Sequence, residues 1–267
     1  MEDINMLLNP EKTKNDIVKW IRDYFEQNGP SCSAVVGISG GKDSSITAAL
    51  LAEALGKDRV VGVMMPDGVQ ADIADSQEIV DHLGIPAVTV NIHEGVKGLS
   101  GAINEALSGS GIGAEALSRD SQINMPPRLR MATLYAIAQA LPQGGRVVNT
   151  CNRSEDYIGY STKFGDAAGD FSPLSQLLVH EVIQVGEVLG VPKRLTQKVP
   201  SDGLSGMSDE DKIGFTYKVL DHYILTGECE DEATRQKIDR MHRLNLHKLQ
   251  LMPAFILDES AHGPNFH

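Results

Sequence analysis

Apolar residues along the chain fall into two alternating patterns. Four short runs are rich in β-branched residues and bounded by polar residues or glycine, and they cover 34–38, 59–64, 87–92 and 146–150. Apolar residues at helical spacing precede or separate these runs at 12–27, 44–55, 72–83 and about 128–141. Short buried strands that alternate with helices predict an α/β fold, in which a parallel sheet is flanked by helices on both faces.

The last third of the chain has helical periodicity only. Its predicted helices cover 175–189, 208–224 and 231–244. The sequence contains no internal repeat and no strong linker. We therefore expect one domain over 1–267, which is Rossmann-like over about 12–198 and continues as a helical C-terminal extension over about 199–267.

Two stretches are dense in glycine and serine, at 95–118 and 199–209. This composition predicts loops. Two interpretations remain open for them: ordinary surface loops, or lids that close over a substrate and exclude water.

Composition narrows the classes of function. At 267 residues, of which 41% are hydrophobic and 22% charged, the chain can bury a core without disulfides or structural metal. A net charge of −12 argues against general electrostatic binding to nucleic acid or to an anionic membrane. Three scattered cysteines do not make a disulfide framework, and the sequence has neither a signal peptide nor an 18-residue apolar run. We expect a cytoplasmic protein with no nucleic-acid or membrane partner.

The most informative segment is 39–45, which has the sequence SGGKDSS and lies between the first predicted strand and a helix. In such a loop, backbone N–H groups and the helix N-terminus bind anions such as phosphate. The spacing differs from that of a Walker A loop, and Asp43 stands where that loop has Ser or Thr. Because a carboxylate repels phosphate unless a divalent cation lies between them, we infer ATP or pyrophosphate with Mg²⁺. The alternative is a glycine-rich turn that only caps the helix.

SGGKDSS resembles the SGGxDS loop of the ATP pyrophosphatases, or PP-loop enzymes, which adenylate a carbonyl or carboxylate and release pyrophosphate. Four further segments resemble those of the NAD synthetases within this family: N-x-x-x-R-x-R-M, G-T-(D/N)-x-x-E with T-K-x-G-D, P-(T/S)-x-x-L with D-E, and a C-terminal H-K pair. They lie here at 124–131, 149–170, 198–214 and 247–248. The resemblance covers about 12–253 and implies an adenine nucleotide alpha hydrolase-like fold.

The resemblance also implies roles for individual residues. Asp43 and Glu155 would ligate Mg²⁺, while Lys42, Asp43 and Asp166 would take part in catalysis, Asp166 by accepting a proton from the attacking ammonia. The residues that would bind ATP are Ile38, Ser39, Gly40, Gly41, Lys42, Asp43, Ser44, Ser45, Thr150 and Ser201. The residues that would bind the dinucleotide substrate are Arg128, Lys163, Asp170, His247 and Lys248.

Two features depart from the family pattern. Many members have Thr-Lys where this chain has Leu178 and Val179, and that lysine contacts an ATP phosphate. We hypothesise that Lys42 compensates for the missing charge. An insertion of two residues after position 128 leaves open whether Arg128 or Arg130 contacts the substrate. Both are expected at the start of a helix, where a cation faces the unfavourable end of the helix dipole, so the pattern favours a functional role.

The implied reaction is the ATP- and Mg²⁺-dependent amidation of nicotinate adenine dinucleotide. The nicotinate carboxylate attacks the α-phosphorus of ATP to form an acyl-adenylate, and ammonia then displaces AMP to give NAD. The chain has no length left for a glutamine-hydrolysing domain, so ammonia would arrive free or from a separate glutaminase. The resemblance further implies a homodimer. Two alternatives remain: a PP-loop enzyme of tRNA modification, which would normally need a basic surface, and a non-catalytic nucleotide-binding regulator.

Overall fold

A computed structural model describes residues 7, 9–70, 73–198 and 208–257. Ser201, which the resemblance assigns to ATP binding, lies outside the described residues, as does most of the predicted loop 199–209. Among the described residues, none of the helices is both long and apolar enough to cross a membrane.

The sheet has four parallel strands in the order β3-β2-β1-β4. The strands are β1 (Ser33–Gly37), β2 (Val60–Met64), β3 (Ala87–Thr89) and β4 (Gly145–Val147). All four predicted strands are confirmed, although β3 and β4 are each shorter than the apolar run that predicted them. Because β1 lies between β2 and β4, the loop that follows it opens at the centre of the carboxyl edge of the sheet.

Eleven α-helices surround and extend this sheet within the described residues. They are α1 (Pro10–Asn28), α2 (Lys42–Leu55), α3 (Ile73–Leu83), α4 (His93–Leu107), α5 (Arg119–Ala140), α6 (Arg153–Ile158), α7 (Val179–Val188), α8 (Lys193–Thr196), α9 (Asp209–Ile213), α10 (Tyr217–Thr226) and α11 (Glu232–Leu249). A 3₁₀ turn covers Lys57–Arg59.

Alternate residues of β1 pack against different helices. Ala34 and Val36 belong to a core cluster shared with α1, α2, α3 and α7. Val35 belongs to a second cluster, which includes Ala138 of α5 and Val147 of β4. Since successive side chains of a strand point to opposite faces, the sheet is covered by helices on both faces, as predicted.

A third apolar cluster lies among the C-terminal helices. It is built from residues of α6, α7, α9, α10 and α11 and the α9–α10 turn, namely Ile158, Val179, Ile213, Phe215, Tyr217, Leu220 and Ile238. The helical C-terminal extension is therefore confirmed. This cluster packs α10 against α6 and α7, beside the carboxyl edge of the sheet.

Residues 95–118 are helical over their first half, where the sequence predicts a loop. Helix α4 runs to Leu107 because Val96 packs into the second cluster. A Cβ added at Gly98 or Gly101 would meet no atom within 4 Å, so these glycines lie on an open face and cost only helix propensity, roughly 1 kcal/mol each. The prediction of a loop is therefore wrong for residues 95–107, which are helical. It rested on glycine content and did not take the apolar packing of α4 into account.

Two further helix boundaries differ from the prediction. The helix predicted over 208–224 is interrupted at Gly214, whose left-handed φ of 79° ends α9 before Thr216 caps α10. Helix α5 begins at Arg119, with the Ser118 side chain accepting a hydrogen bond from Ser121 N at 3.1 Å. Arg128 and Arg130 therefore lie in the middle of a helix, and the argument from its N-terminal dipole is wrong for both.

We predict that Gly40→Ala destabilises the protein more than Gly227→Ala. Both glycines have positive φ, 74° and 76°, so an alanine suffers a similar backbone penalty at each, about 1–2 kcal/mol. A Cβ at Gly40 would lie 2.6 Å from Asp75 Cβ and 2.7 Å from Ser76 N, whereas one at Gly227 meets nothing within 4 Å. Moving α3 away should cost a further 1–3 kcal/mol, about 2–4 °C in Tm for each kcal/mol. Equal Tm values for the two variants in thermal unfolding would contradict this.

Candidate active site at the carboxyl edge of the sheet

The loop after β1 folds back onto the first turn of α2. Ser39 Oγ and Ser44 Oγ are 3.0 Å apart, and the N–H of Gly41 donates to Ser39 Oγ at 3.3 Å. The predicted ATP-binding residues 38–45 therefore lie at the N-terminus of a 14-residue helix, where Ser39, Gly41 and Asp43 keep some solvent exposure. A loop in this position presents backbone N–H groups and the positive end of the helix dipole to an anion.

Helix α3 supports this loop from behind through a carboxylate. Asp75, which backs onto Gly40, accepts hydrogen bonds from Lys198 Nζ and Arg194 Nη1, each at 2.6 Å. The bond from Lys198, followed by that from Arg194, lowers the pKa of Asp75 despite its burial. None of these three was a candidate site residue in the sequence, because their pairing joins positions more than 100 residues apart.

The start of α6 brings a second carboxylate to the loop. Asn152 caps α6, with its side chain accepting from Glu155 N at 3.0 Å while Glu155 accepts from Asn152 N at 3.4 Å. The Asn152 amide also donates to Asp43 Oδ1 at 3.1 Å. One asparagine side chain thus links Asp43 to the helix that carries Glu155. Asn152 and Glu155 form a capping box, which on spacing alone is an ordinary helix start.

Near Asp43 and Glu155, one lysine faces two carboxylates, so negative charge is in excess among these residues. Lys42 Nζ lies 2.6 Å from Asp43 Oδ2, and the lysine is 4% exposed. Burial alone would lower the pKa of Lys42, but Asp43, Glu155 and Asp209 overcome this effect and raise it. Burial, and then the negative charge of Asp43, raise the pKa of Glu155 to about 8 in spite of Lys42. Burial and a neighbouring carboxylate both disfavour the charged form of Glu155, and a cation bound there would favour it.

Asp43 and Glu155 suit Mg²⁺ as ligands. Both are hard oxygen donors, and the raised pKa of Glu155 shows that added positive charge would be favourable there. Among the residues that the structure describes, no group of three or more acidic, histidine or cysteine side chains could hold a metal ion. Two carboxylates are nevertheless what Mg²⁺ commonly takes from a protein, because it keeps several waters and binds the phosphates of its substrate.

The predicted substrate-binding cations form a separate group on the C-terminal side. Lys163 Nζ donates to the His247 carbonyl at 2.8 Å, and Arg128 Nε donates to the Lys163 carbonyl at 3.4 Å. Lys248 Nζ donates to the carbonyls of Gly159 and Ser161 at 2.6 and 2.8 Å. The structure therefore brings together Arg128, Lys163, His247 and Lys248. Their contacts tie α5 and α11 to the segment that follows α6.

Asp170 and Asp166 have different surroundings. Asp170 accepts from Val147 N at 2.7 Å and from Tyr135 Oη at 3.2 Å, so its described contacts fasten it to β4 and α5 rather than to the cation group. Asp166 accepts from Thr162 N at 2.8 Å, and burial raises its pKa. Thr150 lies three residues after the end of β4, at the same edge of the sheet as the loop after β1.

Arg130 and Arg128 bind different parts of the backbone. The Nε of Arg130 donates to the Met65 carbonyl at 3.1 Å, where β2 ends, and burial lowers its pKa although Asp67 and Asp166 act against this. Arg128 is exposed. The two arginines therefore serve different edges of the site, and the choice between them as substrate ligand stays open.

Sequence reasoning missed a buried network beneath α6. Asp221 of α10 is 3% exposed and accepts hydrogen bonds from Ser154 Oγ and, at 2.7 Å, from His180 Nδ1. His180 is partly exposed at the start of α7, as the periodicity indicates. Val179, which replaces the lysine of many family members, is 7% exposed and belongs to the third apolar cluster. No spacing signal marks Asp221, since one polar residue in an amphipathic helix is usually solvated.

We predict that the metal-free protein loses stability as pH rises through neutrality. The pKa of Glu155 is about 8 in the folded protein against 4.5 in a free chain. Between these values the folded state holds a proton that the unfolded state has released, so the free energy of unfolding falls as pH rises. Glu155→Gln should remove most of this fall, as measured by Tm with a chelator present.

Asp156 provides the control, because burial raises its pKa only to about 6. Asp156→Asn should therefore make the decline of Tm below about pH 6 less steep and leave the decline between about pH 6 and pH 8 intact. A wild-type Tm that is constant or rises over this upper interval would contradict the prediction.

Comparisons with known proteins identify the family of this chain. The family model for NAD synthase matches residues 13–258. The chain is 36% identical to the NH(3)-dependent NAD(+) synthetase of Carboxydothermus hydrogenoformans, over 92% of this chain and 98% of that protein. It is 37% identical to the enzyme of the same name from Pyrococcus furiosus, over 81% and 78%. The solved structure of NMN synthetase from Francisella tularensis superposes with a TM-score of 0.82 at 30% identity, covering 97% of this chain and all of that one. The chain belongs to the NAD synthase family of amide-forming ligases.

Proposed function

We propose that this chain amidates nicotinate adenine dinucleotide with ammonia, at the expense of ATP, to give NAD, AMP and pyrophosphate. The observation that carries the proposal is the link from Asp43 through the Asn152 amide to the helix bearing Glu155. It places two carboxylates beside an anion-binding loop, which suits an ATP whose phosphates are shared with a divalent cation. The relatives named NH(3)-dependent NAD(+) synthetase support the choice of ammonia as nitrogen donor.

In this proposal the loop after β1 binds ATP and stabilises the charge on its phosphates. The backbone N–H groups and hydroxyls of 38–45, with Thr150 and Ser201, bind the nucleotide, and Asp43 and Glu155 hold Mg²⁺. The ion, when bound, neutralises charge on the leaving pyrophosphate. Since the nicotinate carboxylate is already an anion, the first step needs positioning and charge stabilisation rather than a base.

The cation group binds the other substrate. The guanidinium of Arg128 and the ammonium groups of Lys163 and Lys248 suit a diphosphate, the first as a two-pronged donor and the others as point charges. His247 and Asp170 complete the proposed contacts. Asp166, with a pKa raised by burial, is the proposed acceptor for the proton that the attacking ammonia loses.

The assembly and setting follow from the family resemblance. We propose a homodimer in the cytoplasm that takes ammonia from solution or from a separate glutaminase. Size-exclusion chromatography with light scattering tests the oligomeric state directly.

A second acceptor is favoured by the likeness to the Francisella tularensis NMN synthetase. Its structure superposes over all of its length, and its name indicates a mononucleotide product. The amidation of nicotinate mononucleotide to nicotinamide mononucleotide uses the same carboxylate and the same adenylation. The ratio of kcat/KM for the two acceptors, measured at equal ATP and ammonium, decides between the two functions.

We predict that the purified protein forms one NAD and one AMP for each ATP consumed when given nicotinate adenine dinucleotide, ammonium, ATP and Mg²⁺. Asp43→Asn should lower kcat/KM by about 100-fold or more, since it removes an anionic ligand of the proposed Mg²⁺. Asp16→Asn, at an exposed residue paired with Lys12, is the matched control and should keep full activity. Products are followed by chromatography. ATP binding without either amide product would contradict the proposed function.

We also predict that Lys42→Ala and Lys42→Met raise the KM for ATP by about 10-fold, with less effect on the KM for the dinucleotide. The lysine supplies the positive charge nearest to Asp43, and the family lysine at position 179 is absent. Because the variants leave buried acids without a counter-ion, Tm is measured in parallel to confirm folding. A change of less than about twofold in the KM for ATP of a folded variant would contradict the hypothesis that Lys42 compensates for the missing lysine.

A further inference from the structure

A buried tyrosine lies beside the lysine that pairs with Asp43, and the mechanism does not use its hydroxyl. Tyr217, the first residue of α10, is 4% exposed and packs in the third apolar cluster. Its backbone N–H donates to Glu210 Oε1 at 2.8 Å. Its side-chain oxygen is buried and makes no hydrogen bond to any atom in the described part of the chain.

Such a group is costly unless something else binds it. A buried hydroxyl without a partner loses about 1–3 kcal/mol relative to one that is hydrogen-bonded. Phenylalanine would fill the same ring position in the cluster without that penalty. A bound water or ion is one explanation for such a hydroxyl, and the surroundings of Tyr217 indicate which kind.

The ring lies beside the charges of the candidate metal site. Lys42 Nζ is 5.8 Å from the centroid of the Tyr217 ring and 2.6 Å from Asp43 Oδ2. Burial is the largest influence on the phenol, followed by the carboxylates of Glu155, Asp209 and Asp43, and all four raise the pKa of Tyr217. A phenol hydroxyl can accept one hydrogen bond and donate another, and neither is satisfied here within the described residues.

We propose that Tyr217 positions the hydrated divalent cation at Asp43 and Glu155. Its hydroxyl would accept a hydrogen bond from a water molecule carried by the cation, a partner that the described residues do not supply. Mg²⁺ retains several waters in protein sites, so a neutral oxygen beyond the direct ligands finds a donor there. Outer contacts of this kind orient the ligands of a metal and tune its affinity. The inference rests on the proposed metal site, and it does not depend on which acceptor is amidated.

Thermal unfolding of the metal-free protein gives the first arm of the test. Tyr217→Phe removes an unsatisfied buried hydroxyl, so its Tm should rise by about 2–4 °C. Tyr223→Phe on the same helix is the matched control, because Tyr223 Oη donates to Asp239 Oδ1 at 2.6 Å. Removing this hydrogen bond should lower Tm. A lower Tm for Tyr217→Phe would show that the hydroxyl has a partner within the protein and would overturn the proposal.

Cation binding gives the second arm and needs no turnover. Mn²⁺ is titrated by electron paramagnetic resonance in the presence of an ATP analogue with a methylene group between the α- and β-phosphorus atoms. The Kd for Mn²⁺ should rise about 10-fold in Tyr217→Phe, stay within about twofold of wild type in Tyr223→Phe, and become unmeasurable in Asp43→Asn. An unchanged Kd in Tyr217→Phe, or no Mn²⁺ binding by the wild type, would overturn the inference. Since no acceptor is present, failure of the amidation proposal would leave these results unaffected.

Discussion

Two partly buried carboxylates, to which one buried ammonium group contributes the nearby positive charge, set the conditions for the whole site. Asp43 lies in the first turn of α2 and Glu155 in the first turn of α6, and Lys42 offsets only part of their charge. Repulsion of this kind raises the free energy of the folded state unless a cation is added. The fold tolerates it because Asn152 bonds to both partners and fixes their separation. The site is thus built for a ligand rather than for stability.

The scaffold holds this arrangement from three sides. The first two apolar clusters clamp β1 between helices, so the loop that follows it starts from a rigid strand. The third cluster brings α10 against α6, and the bonds of Asp221 to Ser154 and His180 fasten α6 and α7 at the same place. The helical C-terminal extension is therefore part of the machinery that positions Glu155, since α6 has only six residues and could not be rigid alone.

The elements that could be predicted from sequence are those whose signals are local. The four strands, α1, α2 and the anion-binding loop each follow from periodicity or from a glycine-rich turn within about 20 residues. Helix α4 was hidden by glycines that face open space. The first half of α5 was missed too, because Pro126 and Pro127 lie inside a helix that continues through them. Contacts across long separations, such as those of Asp75 with Lys198 and of Lys42 with the Tyr217 ring, leave no periodic pattern in the sequence.

The cation group joins distant parts of the chain, and this has a consequence for biosynthesis. Lys163 bonds to the carbonyl of His247, and Lys248 bonds to that of Gly159, across 84 and 89 residues. On the ribosome, the sheet and its phosphate loop emerge well before α11 is made. A nascent chain can therefore form its sheet and the loop after β1 first, whereas the proposed acceptor contacts and the helices that position Glu155 are completed only after the last helix has left the exit tunnel.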